Sequence, residues 1–371
     1  MAESTSTAND TVLVTGGSSF IGGYTILKLL ERGQYSIRTT VRSQDRVEET
    51  RSNLRYGGAT EEQVAGIDIV VADLIADDDK TWQNACAGAR YVIHVAGKIP
   101  TGKEKRLEEL LVPMKQGVLR LLGAAKAAGV EKVVFTSSIA TLAHGHGARD
   151  KTEPFTEEDW TDLSDEKEKV HIYPRAKTLT EQAAWEYVNE GDGKGMHLTV
   201  ICPAATYGPS LNKDYRASLK LILILCGGTP GMPYYGTGMV DVRDVAELHV
   251  RAMESEKANG QRYLAIARCT SNSTSEAQDV CNFVDIVTSA DILREGLPAE
   301  NTKKITKLMI PNWVMRMASW FDPVVNLCLP DLGKELAGSN AKARRDFQWE
   351  PITVEESMLA GARSLKDFGL I

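Results

Sequence analysis

Short apolar runs alternate with longer amphipathic stretches along the first half of the chain. The runs predict buried strands at residues 11–15, 36–41, 67–72, 91–95, 132–135 and 198–202. Residues 21–32 have the spacing of an amphipathic helix, and Gly33 is placed to end it. Buried strands that alternate with helices are typical of a parallel sheet covered on both faces. Because the crossovers between such strands are right-handed, the pattern predicts a doubly wound α/β fold.

The alternation ends after Pro203, where prolines and glycines become frequent and helical segments no longer follow strands regularly. We therefore expect a flexible tail over residues 1–10, a main α/β domain over residues 11–203 and a smaller lobe over residues 204–371. No linker separates the two parts. Some segments of the lobe, about residues 238–268, are therefore expected to return to the main domain.

The composition is typical of a soluble globular protein: 371 residues, of which 43% are hydrophobic and 25% charged, with a net charge of −7. Such an acidic chain shows no basic face for nucleic acid. The longest apolar run, residues 221–226, is too short to cross a bilayer, and the N-terminus lacks the apolar core of a signal peptide. We expect a cytoplasmic protein with neither a nucleic-acid nor a membrane partner. The six cysteines are scattered, which predicts reduced, buried thiols and no metal site.

A glycine-rich turn, TGGSSFIG at residues 15–22, separates the first predicted strand from the first helix. In that position, backbone N–H groups and the helix dipole can face a pyrophosphate. Gly22 would let the helix pack closely on the sheet. The turn therefore indicates a dinucleotide site, and an ordinary strand-to-helix turn is the alternative.

Two residues at the ends of the next strands bear on the nucleotide. Arg42 lies 20 residues beyond Gly22, where an NAD-specific site would carry an acidic residue. A fixed cation suits the 2′-phosphate of NADP, although Asp45 and Arg46 are near enough to modify that preference. A purely solvated role is the alternative for Arg42. Asp73, after the third predicted strand, is placed either to accept from an adenine amino group or to cap a helix.

Tyr173 and Lys177 are four residues apart, so on a helix they share one face. A phenol ordinarily titrates near pH ~10, and a neighbouring cation lowers that value toward the range of acid–base catalysis. Tyr24 and Lys28 have the same spacing. We expect that second pair to be structural, because its helix begins at the glycine turn.

Ser137 and Ser138 follow a buried strand, at the sheet edge where open α/β folds bind ligands. A hydroxyl there can orient a carbonyl group and stabilise a developing oxyanion. Ser138 followed 35 residues later by Tyr173 and Lys177, downstream of a glycine turn, forms a combined pattern that chance produces far less readily than any of its parts.

With these motifs the sequence resembles the extended short-chain dehydrogenases/reductases, and within them the dihydroflavonol-reductase-like carbonyl reductases, over about residues 11–270. The motifs that carry the resemblance are TVR at 40–42, VVFTSS at 133–138, YPRAKTLTEQAAW at 173–185, PAATYGP at 203–209 and VDVRDVA at 240–246. The resemblance implies a Rossmann-type fold, with residues 11–203 as the NADP-binding domain and residues 204–371 mainly as the substrate-binding lobe.

The resemblance also implies site residues. Ser138, Tyr173 and Lys177 would be the catalytic triad. The residues that would contact NADPH or NADP+ come from the glycine turn and from the ends of the strands: Gly16, Ser18, Ser19, Phe20, Ile21, Gly22, Arg42, Asp73, Leu74, Val95, Ala96, Gly97 and Pro203, together with Tyr173 and Lys177.

Three departures from the family pattern limit the choice of substrate. Ser19 stands where the family's turn usually has glycine. Ala143 stands where plant dihydroflavonol reductases usually have an asparagine that holds the flavonoid ring. The aromatic, cysteine-containing signature of cinnamoyl-CoA reductases is absent around Tyr173. Both substrate classes are therefore disfavoured, and the substrate stays open.

We expect an NADPH-dependent aldehyde or ketone reductase, monomeric or homodimeric, in which Tyr173 supplies the proton to a small carbonyl substrate. One alternative is an NAD-dependent sugar-nucleotide epimerase or dehydratase. A dehydratase needs a carboxylic acid beside the catalytic hydroxyl, where this chain has Ile139, and Arg42 argues against the tightly held NAD of an epimerase. A catalytically inactive NADP-sensing regulator is the other alternative, and the intact triad disfavours it.

Overall fold

A seven-stranded parallel sheet forms the centre of the molecule. The computed structural model describes residues 9–98, 100, 104–147, 149–164, 170–213, 218–271, 279–320 and 329–371. In chain order, the strands of the sheet are β1 (Asp10–Thr15), β2 (Tyr35–Val41), β3 (Asp68–Val71), β4 (Ala89–His94), β5 (Lys132–Thr136), β6 (His197–Pro203) and, later in the chain, β11 (Arg262–Ala265). Their spatial order is β11-β6-β5-β4-β1-β2-β3. The order reverses direction beside β1, as in a doubly wound fold, and this prediction is confirmed.

Two groups of helices flank this sheet. The helices of the first two-thirds of the chain are α1 (Phe20–Arg32), α2 (Asp45–Tyr56), α3 (Glu61–Ala65), α4 (Asp79–Cys86), α5 (Glu108–Ala127), α6 (Ile172–Asn189), α7 (Leu219–Gly227) and α8 (Val242–Glu254). In one group α1 packs on α8, and in the other α5 packs on α4 and α6. α1 ends where the sequence predicts. Gly33 has φ +69° and donates its N–H to the Leu29 carbonyl.

All six predicted strands lie in the sheet, with their ends shifted by one or two residues. One boundary of the predicted tail is wrong. Asp10, assigned to the tail, begins β1: it pairs with Tyr35, and its carboxylate accepts from Arg90 at 2.6 Å. Residues 1–8 of that tail lie outside the described part of the chain.

The rest of the chain forms short strands and a second group of helices. The strands are β7 (Ala205–Tyr207), β8 (Met232–Pro233), β9 (Gly236–Thr237), β10 (Met239–Asp241), β12 (Val280–Asn282), β13 (Val284–Asp285), β14 (Met309–Ile310) and β15 (Ala337–Ser339). They form the two-stranded pairs β7–β10, β8–β14, β9–β13 and β12–β15. The helices are α9 (Ile286–Gly296), α10 (Ala299–Thr302), α11 (Asn312–Ala318), α12 (Ala341–Phe347) and α13 (Val354–Asp367).

The described residues form two large buried clusters. One surrounds the central sheet and also includes residues from later in the chain, such as Leu211, Leu336 and Trp349. The other is built from buried residues between Tyr207 and Leu365. β11, from the segment 238–268, pairs with β6 in the central sheet. The division near residue 203 stays a prediction.

The described cysteines, Cys86, Cys202, Cys226, Cys269 and Cys281, are buried and form no disulfide among themselves, while Cys328 lies outside the described residues. A search of the described helices found none with the length and apolar character needed to span a membrane.

Candidate active site

The carboxyl ends of β1, β4, β5 and β6 meet at one edge of the sheet, because neighbouring strands are parallel and in register. This edge carries the glycine turn after Thr15, the segment 95–97 after His94, the two serines after Thr136, and Pro203. The Brändén rule places ligands of open α/β sheets at such an edge.

The glycine turn leaves no room for a side chain at Gly16 or at Gly22. Gly16 has φ +77°, and a Cβ atom there would lie 3.1 Å from the Ala96 Cα. A Cβ atom on Gly22 would lie 2.2 Å from the Gly16 carbonyl oxygen. The turn is therefore closely packed between β4 and the first turn of α1, with the amino end of that helix at the sheet edge.

Ser19, the departure from the family pattern, caps α1. Its hydroxyl accepts from the Gly22 N–H at 3.1 Å and donates to the Gly16 carbonyl at 2.7 Å. The side chain thus closes the turn on itself. Ser18 lies beside it, partly buried, while Phe20 packs on the second buried cluster and Ile21 on the first.

Thr15 and His94 hold the segment after β4, and the sequence analysis missed both. The Thr15 Oγ1 atom accepts from the N–H groups of Val95 and Ala96, at 3.1 and 3.0 Å. Since it accepts twice, its one proton is directed to the His94 Nδ1 atom, 2.8 Å away. Burial, with a smaller effect of the nearby Lys177 charge, lowers the pKa of His94 to about 3, so the ring is neutral. The segment 95–97 is therefore anchored to the first strand.

Arg42 follows β2 directly and is exposed, and its guanidinium makes no hydrogen bond within the described part of the chain. Arg46, by contrast, binds both carboxylate oxygens of Glu49, at 2.7 and 2.8 Å. Of these two arginines, Arg42 is the one whose charge is open to a ligand.

The Asp73 carboxylate accepts from the N–H groups of Ile75 and Ala76, at 2.8 and 2.9 Å. It thus caps the turn that follows β3, the structural alternative that the sequence left open. Leu74 is partly buried and packs against Gly117 of α5. A Cβ atom added at Gly117 would lie 2.5 Å from the Leu74 Cδ2 atom.

The two serines after β5 differ in their surroundings. Ser137 is buried and donates to the Glu181 carboxylate at 2.5 Å. Ser138 is partly buried, and its Oγ accepts from the Ala140 N–H at 3.1 Å, so its own proton remains available to a ligand. The Ser137 hydroxyl is therefore engaged within the protein, and the catalytic role of Ser138 stays a prediction.

Tyr173 lies in the first turn of α6, packed beside Leu110 and Met114 of α5. Lys177 lies one turn further on, with its Nζ atom 3.4 Å from the carbonyl oxygens of both Thr136 and Ser137. The ammonium group therefore ties the helix that carries the phenol to the strand end that carries Ser138.

The second Tyr–Lys pair is engaged elsewhere. The Tyr24 hydroxyl donates to the Pro209 carbonyl at 2.9 Å, and burial raises the pKa of this phenol. Lys28 binds the Glu31 carboxylate at 2.6 Å. Both side chains of this second pair thus bind other groups of the protein.

A buried ion pair, Glu181–Arg262, lies behind the candidate triad. Glu181 on α6 is fully buried, accepts from Arg262 Nε at 2.6 Å, and also accepts from Ser137. The Arg262 guanidinium stacks 3.8 Å from the centre of the Trp160 ring. The pair links α6, the end of β5 and β11. Only the eight-residue spacing from Tyr173 to Glu181, which places both on one face of α6, could have indicated it from sequence.

Comparison with known proteins gives consistent matches. Residues 12–266 match the NAD dependent epimerase/dehydratase family. Tetraketide alpha-pyrone reductase 2 of Arabidopsis thaliana is 32% identical over 253 residues, 67% of this chain and 75% of the relative. Cinnamoyl-CoA reductase 1 of the same plant is 34% identical over 261 residues, 70% of this chain and 71% of the relative.

The fold also matches solved structures. The structure of yeast methylglyoxal/isovaleraldehyde reductase Gre2 complexed with NADPH superposes with a TM-score of 0.74 at 24% sequence identity, covering 97% of this chain and 100% of that one. Dihydroflavonol 4-reductase of Hordeum vulgare is another relative, 32% identical over 68% of this chain and 69% of its own length. The predictions of a Rossmann-type fold and of an oxidoreductase are confirmed, and the chain belongs to the NAD dependent epimerase/dehydratase family, among its dihydroflavonol-reductase-like members.

Proposed function

We propose that this protein is an NADPH-dependent carbonyl reductase in which Ser138, Tyr173 and Lys177 act on an aldehyde or ketone. The observation that carries the proposal is the position of Lys177. Its ammonium group lies 3.4 Å from the two backbone carbonyls that immediately precede Ser138, and it is one helical turn from Tyr173. A donor hydroxyl, a phenol and a cation are thereby gathered at the sheet edge beside the glycine turn.

The residues present fit a dinucleotide. The glycine turn leads into the amino end of α1, where N–H groups and the helix dipole favour a pyrophosphate. The exposed Arg42 would bind the 2′-phosphate that distinguishes NADPH from NADH. Val95, Ala96 and Gly97 would line the cofactor from β4, and Pro203 from β6. NADPH in the related Gre2 structure supports this assignment.

Each residue of the triad would have a separate task. When bound, the nicotinamide supplies a hydride to the carbonyl carbon. The Ser138 hydroxyl would donate a hydrogen bond to the carbonyl oxygen and orient it. Tyr173 would give its phenolic proton to that oxygen as the alcohol forms, and the Lys177 charge would stabilise the phenolate left behind. One carbonyl, one hydride and one proton give one alcohol.

The family description also covers epimerases and dehydratases, but one local feature and the nature of the relatives favour reduction. Ile139, buried after Ser138, cannot protonate a leaving hydroxyl as a dehydratase requires. The curated relatives named above are reductases. Ala143 is buried and gives no polar group to a flavonoid ring, which disfavours a flavonoid substrate.

The two Tyr–Lys pairs provide a matched experiment. Tyr173→Phe should retain NADPH binding and lower the rate of NADPH oxidation with aldehydes or ketones by ~10²–10⁴-fold, the usual contribution of a positioned acid. Tyr24→Phe removes one hydrogen bond to Pro209 and should leave turnover nearly unchanged. The proposal fails if Tyr173→Phe retains full turnover, or if the unmodified enzyme isomerises its substrate without net consumption of NADPH.

A further inference from the structure

We propose that the segment 303–320 of the smaller lobe is a docking surface for an anionic lipid bilayer. Among the described residues, ten large hydrophobic side chains are exposed, and five of them lie within thirteen consecutive positions. These five are Leu308, Met309, Trp313, Met317 and Trp320. Isolated exposed hydrophobic residues are ordinary, but a contiguous group marks an interaction surface. The proposal does not depend on the proposed reductase activity.

Helix α11 separates inward-facing from outward-facing residues. Met315 and Ser319 are buried against the lobe. Trp313 and Met317 are one turn apart on the opposite side, and the turn continues to Trp320, whose N–H donates to the Met317 carbonyl. Trp313 is 65% exposed and Trp320 is 78% exposed. The outward face of the helix therefore carries a row of large apolar side chains that does not contribute to the core of the lobe.

The charged residues within this segment are of one sign. Lys303, Lys304, Lys307 and Arg316 are exposed, and residues 301–320 include neither Asp nor Glu. The chain as a whole carries a net charge of −7, so the negative excess lies entirely outside this segment. The basic residues thus favour an anionic partner, which the rest of the surface would repel.

Tryptophan, aliphatic side chains and Lys/Arg in one short segment are typical of structures that lie in a membrane interface. Indole rings are favoured at the headgroup level, and Lys and Arg extend their charged ends to lipid phosphates. A second copy of the chain fits this segment less well. In a two-fold dimer the same basic residues would face each other. The prediction of no membrane partner rests on the lack of a spanning segment, and a helix lying flat in the interface requires none.

Vesicle binding tests the proposal on the full chain. Sedimentation with vesicles of phosphatidylcholine plus phosphatidylserine should capture the protein, and vesicles of phosphatidylcholine alone should capture much less. Of the protein's six tryptophans, only Trp313 and Trp320 are exposed, so a blue shift of tryptophan emission on binding would come from them. The double variant Trp313→Ser/Trp320→Ser should abolish the shift and lower binding at least tenfold. Each of Lys303→Gln, Lys304→Gln and Lys307→Gln should lower binding about fivefold in phosphatidylserine vesicles.

Val112→Ser is the matched control, because Val112 is an exposed apolar residue on α5, outside the docking surface. It should bind vesicles like the unmodified protein. All variants should keep their thermal midpoint and their activity on a water-soluble carbonyl compound. Equal capture of the double tryptophan variant would overturn the proposal, as would equal capture by both vesicle types. So would a change from dimer to monomer in that variant without vesicle binding in the unmodified protein, which would assign the surface to a second copy of the chain.

Discussion

Removal of either partner of the Glu181–Arg262 ion pair should strongly destabilise the protein. The side chains are 0% and 8% exposed, and the Nε and Oε1 atoms are 2.6 Å apart. At this 2.6 Å separation and an effective dielectric constant of about 20, two unit charges attract by about 6 kcal/mol. Desolvation offsets part of that attraction. A single substitution that leaves one buried charge without its partner should therefore cost about 3–5 kcal/mol.

A double-substitution cycle measures this coupling. Glu181→Gln and Arg262→Met should each lower the free energy of unfolding, measured by urea titration, by the amount given above. The combined variant contains neither charge and should cost no more than either single variant. Arg90→Met is the control, since Arg90 forms exposed ion pairs with Asp10 and Glu131, and its loss should cost less than about 1 kcal/mol. Additive costs for Glu181→Gln and Arg262→Met would refute the reasoning.

Two further predictions concern cofactor choice and pH. Arg42→Ala should lower the preference for NADPH over NADH by about ten- to a hundredfold, because a charge-assisted hydrogen bond contributes roughly 1.5–3 kcal/mol. The Arg46 guanidinium is bound to Glu49, so Arg46→Ala should leave the preference for NADPH unchanged. Equal affinities of the unmodified protein for NADPH and NADH would exclude Arg42 as the residue that binds the 2′-phosphate. Burial lowers the pKa of His94 to about 3 and that of His249 to about 4, so folding favours their neutral forms. Above pH ~6.5 both rings are neutral in the folded and the unfolded chain, and the protein has its full stability. As the pH falls below that value, each histidine should lower the free energy of unfolding, by ~2–3 kcal/mol at pH ~4.5. Burial raises the pKa of Asp244 to about 7, so protonation of this carboxyl group stabilises the folded protein as the pH falls. Asp244→Asn removes that gain and should make the loss of stability in acid steeper. A urea midpoint that does not change from neutral pH to ~4.5 would contradict this prediction.

Much of the central sheet was predictable because strands such as β1, β5 and β6 contain continuous apolar runs that are buried. The glycine turn and the Tyr173–Lys177 spacing were predictable for a similar reason, since both are local in sequence. Strands such as β8 and β13 are only two residues long and leave no periodic pattern. Their existence depends on partners far away in the chain.

The anchoring contacts of the site were not predictable for the same reason. Thr15 and His94 are 79 residues apart, and Glu181 and Arg262 are 81 residues apart. Thr15 and His94 meet because β1 and β4 pair in register, and Glu181 meets Arg262 because α6 packs on the sheet that contains β11. A threonine at the end of a strand or an arginine within one has no local feature that identifies such a partner. The sequence also left two roles open for Asp73, binding of adenine or capping. Only the geometry of the turn shows which N–H groups the Asp73 carboxylate accepts from.

The position of β11 in the chain has a consequence for biosynthesis. Six strands of the sheet are complete once β6 has left the ribosome, but the seventh comes almost sixty residues later and pairs with β6 at the sheet edge. Until that strand is made, the Glu181 carboxylate on a nascent chain has no cation beside it and is better placed in water. Helix α6, which carries Tyr173, therefore reaches its final packing on the sheet only late in synthesis. The first six strands can pair during translation, whereas the candidate site is completed only when Arg262 has been made.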